Sequence, residues 1–94
     1  MNSERDLMRS LVSLVIEKTL LEIGTPTLDK TVAYLKENYN CRLQDCYEHP
    51  EYLSSVLQYI FGKGGNSIVE SIKTHLEEYS YDNKIALLIK TINR

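Results

Sequence analysis

The sequence predicts an all-α fold: a compact bundle of about five helices with a long N-terminal helix, forming one domain over residues 1–94. Three observations carry this prediction. Apolar residues recur at three- and four-residue spacing in five separate segments. Glycine, proline and capping residues fall between those segments rather than within them. No stretch alternates apolar and polar residues at the two-residue period of a half-buried strand.

The first helix is expected from Ser3, whose hydroxyl can accept from an orphan N–H, with Glu4 and Asp6 at the positive end of the dipole. It should stop at Ile23, where Gly24 can take a left-handed conformation. Thr25 then reads as an N-cap and Pro26 as the first residue of a second helix, which is apolar at Leu28, Val32, Leu35 and Tyr39. Asn38 to Asn40 end it. Cys41 to His49 has no clear period. His49-Pro50 opens a third helix with Leu53, Val56, Leu57, Ile60 and Phe61 at helical spacing. Gly62-Lys63-Gly64-Gly65-Asn66 breaks the pattern. Ser67 and Glu70 then form an S-x-x-E capping box before Ile68, Val69, Ile72, Leu76 and Tyr79. After a turn at Ser80 to Asp82, a fifth helix runs from Asn83 with Ile85, Leu88, Ile89 and Ile92 on one side.

Composition narrows the function classes. A chain 43% hydrophobic and 26% charged is an ordinary globule rather than a disordered one. A net charge of −2 offers no pull toward nucleic acid or anionic lipid. Two cysteines are too few for a disulfide-stapled miniprotein. Glu4 and Asp6 before the apolar run, and Glu17 and Lys18 inside it, fit neither a signal peptide nor a membrane span. A cytoplasmic setting is therefore expected.

Candidate chemistry is sparse. Cys41, Cys46, His49 and His75 supply the right atoms for zinc, but C-x4-C-x2-H with a distant second histidine is not a zinc spacing. The cysteines read more simply as small buried hydrophobes. The glycine-rich stretch before Ser67 could expose N–H groups to an anion, yet it lacks the order of a P-loop and follows no strand. Asp45, Glu48, His49 and Glu51 cluster and could serve acid–base work, but a charged loop capping the third helix is the better reading. Seven tyrosines without a tryptophan suit either the wet edge of a core or an interface. No catalytic residue, cofactor or metal is predicted.

Certain runs carry a resemblance. Tyr34-Leu35-Lys36-Glu37-Asn38-Tyr39 with Thr27 upstream, L-Q-D-C-Y-E-H-P-E-Y-L from Leu43 to Leu53, Phe61-Gly62, and S-I-V-E-S-I-K from Ser67 to Lys73 are similar to the small Nitrosopumilus output domains of ammonia-oxidising archaea. The similarity spans roughly Leu11 to Ile92. It implies an archaeal helical domain serving as an output or interaction module in signalling. It assigns no catalytic or binding residue.

The first helix points to how such a module would work. Leu7, Leu11, Leu14 and Leu21 form one apolar stripe, and Met8, Val12, Val15, Ile16, Leu20 and Ile23 a second. So wide an apolar surface has to be covered by the chain itself or by a second copy. The expectation is a homodimer with Met8, Val12, Val15, Ile16 and Leu20 facing the partner and Leu11 and Leu14 facing the domain's own core. A signalling protein is a further possible partner. The competing arrangement makes the first helix the central helix of a monomer. As an alternative function, the second and third helices could form a DNA-binding helix-turn-helix. Against it, their connection is long, and Asp45, Glu48 and Glu51 stand where phosphates would require cations.

Overall fold

The structure, a computed structural model, describes residues 3–93. Five α-helices and three short 3-10 segments make up the fold, with no strand among the described residues. Helix α1 spans Ser3–Ile23, α2 Thr25–Tyr39, α3 Pro50–Phe61, α4 Asn66–Leu76 and α5 Asn83–Ile92. The 3-10 segments are Leu43–Tyr47, Gly62–Gly65 and Glu77–Tyr79. The Cα radius of gyration is 12.2 Å. About 13 Å is expected for a 100-residue globule, so all five helices share one core. Among the described residues no helix is long and apolar enough to cross a membrane.

Local chemistry explains most boundaries. Gly24 sits at φ +154°, a conformation that side chains disfavour. Its N–H donates to the Leu20 carbonyl (3.1 Å) and its own carbonyl accepts from Thr27 N (3.1 Å), so one residue closes α1 and opens α2. The N-cap is thus Gly24 rather than Thr25, and Thr25 and Pro26 lie in the first turn. Asn40 ends α2 in the left-handed region at φ 51°. Asp82 caps α5, accepting from Lys84 N (2.9 Å) and Ile85 N (3.1 Å).

Two local expectations differ. The capping box of Ser67 and Glu70 does not form. Gly65 keeps right-handed backbone (φ −82°, ψ 0°), so α4 begins at Asn66 and Ser67 already lies inside it. The region after Cys41 is not a loop: Leu43–Tyr47 is a 3-10 turn closed by Arg42 N–H donating to Asp45 Oδ2 (2.8 Å). The cap expected from the Ser3 side chain lies outside the described residues.

Helix α1 lies against the 3-10 turn Leu43–Tyr47, α4 and α2, while α3 packs on α5 and α2. Buried residues from every helix meet in one cluster, with Val12, Ile16, Leu20, Leu35, Leu53, Val56, Ile72, Leu76, Ile85 and Leu88 fully enclosed. On α2 the inward face is Thr31 and Leu35, while Val32 turns outward. Thr31 satisfies its hydroxyl by donating to the Thr27 carbonyl (2.9 Å). Thr19, also buried on α1, has no hydrogen-bond partner for its hydroxyl.

Candidate interaction surface

The residues expected to face a partner are the core of the domain itself. Val12, Ile16 and Leu20 are 0% exposed, and Met8 and Val15 are also buried. This corrects the expected interface at Met8, Val12, Val15, Ile16 and Leu20. The reason is area: that stripe offers five adjacent apolar side chains, and enclosing it removes more surface from water than enclosing the narrower leucine stripe. Leu11 packs against the core as expected. Leu14 does not.

What α1 leaves outside is a row of leucines. Leu7 is 64% exposed, Leu14 62% and Leu21 44%. A helix turns about 100° per residue, so residues spaced by seven fall within about 40° of one another. On that wheel the row lies about 180° from Val12 and Ile16. These leucines are therefore a separate ridge on the opposite side of the helix, not the frayed margin of the core. Beside the ridge, Leu14, Glu17, Lys18 and Leu21 border a shallow hollow of about 330 Å³. Spacing of i, i+3, i+4 and i+7 is the outline of a coiled-coil hole that takes one side chain from a facing helix.

The inner side of α1 is fixed by charge as well as packing. Arg9 Nη2 pairs with Asp45 Oδ1, and Arg9 Nε donates to Glu48 Oε1 (3.1 Å). Arg5 Nε donates to Glu48 Oε2 (3.1 Å). Asp45 and Glu48 thus hold the 3-10 turn against α1 rather than capping α3, whose N-cap His49 makes no side-chain cap bond. Behind them Tyr47 is buried, and its hydroxyl donates to both carboxylate oxygens of Asp82 (2.8 and 3.0 Å). Burial first, then the bond to Asp82, pushes the Tyr47 phenol up to about 12.

A second surface is aromatic. Tyr59 of α3 lies against Tyr34 of α2 with centroids 4.7 Å apart, and Tyr34 meets Tyr39 edge-on at 6.1 Å. Tyr39 stacks on Tyr52 at 4.0 Å, and Tyr52 stacks on His49 at 4.6 Å. Ser55 Oγ lies within hydrogen-bond reach of both the Tyr34 and Tyr39 hydroxyls (3.1 and 3.0 Å). Five rings from α2, α3 and the turn before α3 thus form one ladder, locked at its centre by a serine. Its signal in the sequence is Tyr52, Ser55 and Tyr59 at i, i+3 and i+7, one face of a helix.

The cysteine and histidine positions do not converge. Among the described residues no three His, Cys, Asp or Glu side chains gather where a metal ion could sit. His75 is exposed on α4, 2.7 Å from the Ser71 carbonyl through Nδ1. Cys46 is fully buried, and burial above all raises its thiol, with Cys41, Asp45 and Glu51 adding to the effect. Burial and Asp45 likewise raise Cys41. Both thiols are held in the neutral form, which is neither the nucleophile nor the metal-binding species. No family model, curated protein or solved structure matches the chain.

Proposed function

We propose that this protein is an association module that pairs with a second copy of itself along α1, through the ridge of Leu7, Leu14 and Leu21. The observation that carries this reading is the placement of three heptad-spaced leucines diametrically opposite the helix's buried side. Heptad leucines suit a partner helix because each can enter a hole such as that bordered by Leu14, Glu17, Lys18 and Leu21. A two-fold pair places the same ridge on both partners.

The association is weak by its own arithmetic. The ridge leaves roughly one and a half to two leucine side chains in water per protomer, and a fully buried leucine contributes roughly 1.5–3 kcal/mol. Doubled across the pair, that gain is comparable with the roughly 4–15 kcal/mol cost of association. The gain of about 5–10 kcal/mol exceeds that cost by about 6 kcal/mol at most, so pairing is expected no tighter than about 10 µM and is looked for between about 10 µM and 1 mM. Such a dimer responds to local concentration, which suits an output domain whose pairing an upstream signalling protein sets, the role implied by the family resemblance. The helix-turn-helix alternative gains no support, because residues 40–49, with their own 3-10 segment, separate α2 from α3 where that motif has a turn of about three or four residues.

Sedimentation velocity across that concentration range tests the proposal. The expected result is a rising dimer fraction that Leu14→Glu abolishes while the helical circular dichroism stays intact. A protein that is monomeric throughout the range refutes self-association. Submicromolar, salt-sensitive retention of duplex DNA in a gel shift would instead support the regulator.

A further inference from the structure

The aromatic ladder ends in an open ring. Tyr59 rests one face on Tyr34, 4.7 Å away, and is 73% exposed. A tyrosine so exposed is normally free to turn, whereas this one is supported from beneath by a ring that Ser55 anchors through its hydroxyl. Two hollows meet at Tyr59. One, of about 640 Å³, is bordered by Tyr34, Glu37 and Lys30. The other, of about 420 Å³, is bordered by Glu51, Ser54 and Gln58. Each hollow thus carries a carboxylate, and Lys30 is the one cation among the described residues that line them. Glu37 makes no ion pair among the described residues, and Glu51 has only a 3.4 Å contact with His49 Nδ1.

From this geometry we infer that the Tyr59 end of the ladder is a docking site for a basic, arginine-bearing segment of a partner protein bound in extended form. The guanidinium would lie flat on the open face of Tyr59, where the ring quadrupole attracts a cation. Its donors would reach a flanking carboxylate of Glu37 or Glu51. Arginine fits better than lysine, because a planar fork can stack on a ring and pair with a carboxylate at once, whereas an ammonium is a strongly hydrated point charge. An extended chain repeats on one side about every 6.6 Å, which places neighbouring side chains in the hollows to either side of the ring. Nucleic acid is the poorer occupant, since the carboxylates would repel its phosphates.

The site lies on α2 and α3, away from the leucine ridge, so its test is independent of self-association. The probe is a blocked heptapeptide alternating alanine and arginine, titrated at physiological salt and followed by side-chain and amide shifts in nuclear magnetic resonance. The expected shifts centre on Tyr59, Tyr34, Glu37 and Glu51. The lysine counterpart should bind roughly five- to tenfold more weakly. Tyr59→Ala should weaken the arginine peptide by about tenfold while the helical circular dichroism stays intact, and Tyr59→Phe should retain binding. Leu14→Glu should bind as the parent does. Equal affinity for the two peptides, or binding that survives Tyr59→Ala, would reduce the effect to diffuse charge attraction and overturn the inference. Tighter binding of single-stranded oligouridine than of peptide would also overturn it, in favour of a base-stacking platform.

Discussion

Replacing Ile16 by alanine separates the two sides of α1 more sharply than any other single change. Ile16 is 0% exposed at the centre of the buried arc. The substitution removes three carbon atoms at roughly 0.8 kcal/mol each, and the cavity left behind brings the usual cost to about 2–5 kcal/mol. A chain of 94 residues has a total stability of about 5–14 kcal/mol. A loss near 3 kcal/mol is therefore about a fifth to three-fifths of everything that holds the fold. For a domain of this size, each kilocalorie moves the midpoint by about 4–8 °C, so the melting temperature should fall by about 12–24 °C. Leu14→Ala, two residues away, trims a side chain that is 62% exposed and should change monomer stability by no more than about 0.5 kcal/mol. Thermal melts at 222 nm, run well below the association range, read both variants. A melt of Ile16→Ala within a few degrees of the parent would refute the burial argument, and with it the placement of the ridge on the opposite face.

Three further outcomes follow from contacts described above. Tyr47→Phe should cost about 1–2 kcal/mol by denaturant unfolding, because it deletes a bond to a charged acceptor, yet Asp82 keeps two backbone donors. In a spectrophotometric titration one of the seven tyrosines should ionise late, near pH 12, and Tyr47→Phe should remove that phase. The sign of its stability effect is fixed by linkage: the phenol ionises near 10 when unfolded and near 12 when folded, so its contribution is full below pH 10 and declines from there to pH 12. Gly24→Ala should destabilise by about 1–3 kcal/mol through backbone strain alone, since the added Cβ would meet Pro26 Cδ at an ordinary 3.6 Å.

How far the sequence could be read depended on whether the deciding chemistry was local. Helix ends were legible because Gly24, Pro26, Asn40, Pro50 and Asp82 act on backbone within a few residues of themselves. The capping box at Ser67 failed for a local reason too: Gly65, just before α4, keeps right-handed backbone and lets the helix begin ahead of Ser67. The two sides of α1 were not legible in the same way. A wheel shows two apolar stripes but not which one the other four helices will cover, and that choice depends on Leu35, Leu53, Ile72 and Leu88 arriving from elsewhere. The pairs Arg9–Asp45 and Tyr47–Asp82 join residues 36 and 35 positions apart, beyond the reach of any spacing rule. The aromatic ladder lay between these cases. The face shared by Tyr52, Ser55 and Tyr59 could be seen on α3, but its meeting with Tyr34 and Tyr39 required the packing of α2.

The carboxylate of Asp82 ties two distant parts of the chain into one cooperative unit. It begins α5 by accepting from Lys84 and Ile85, and it also receives the hydroxyl of Tyr47 from the turn that α1 grips through Arg9. Unwinding the first turn of α5 strands a buried phenol, and lifting the turn at Tyr47 removes a partner from the cap. Neither can open alone without the other losing a bond. Amide protons at the start of α5 should therefore exchange with solvent at the rate of the turn at residues 43–47 rather than fraying at the rate of an ordinary helix end. The N-terminal helix, the central turn and the last helix are thus expected to open together, and a second copy seated on α1 should slow exchange in α5 without touching it.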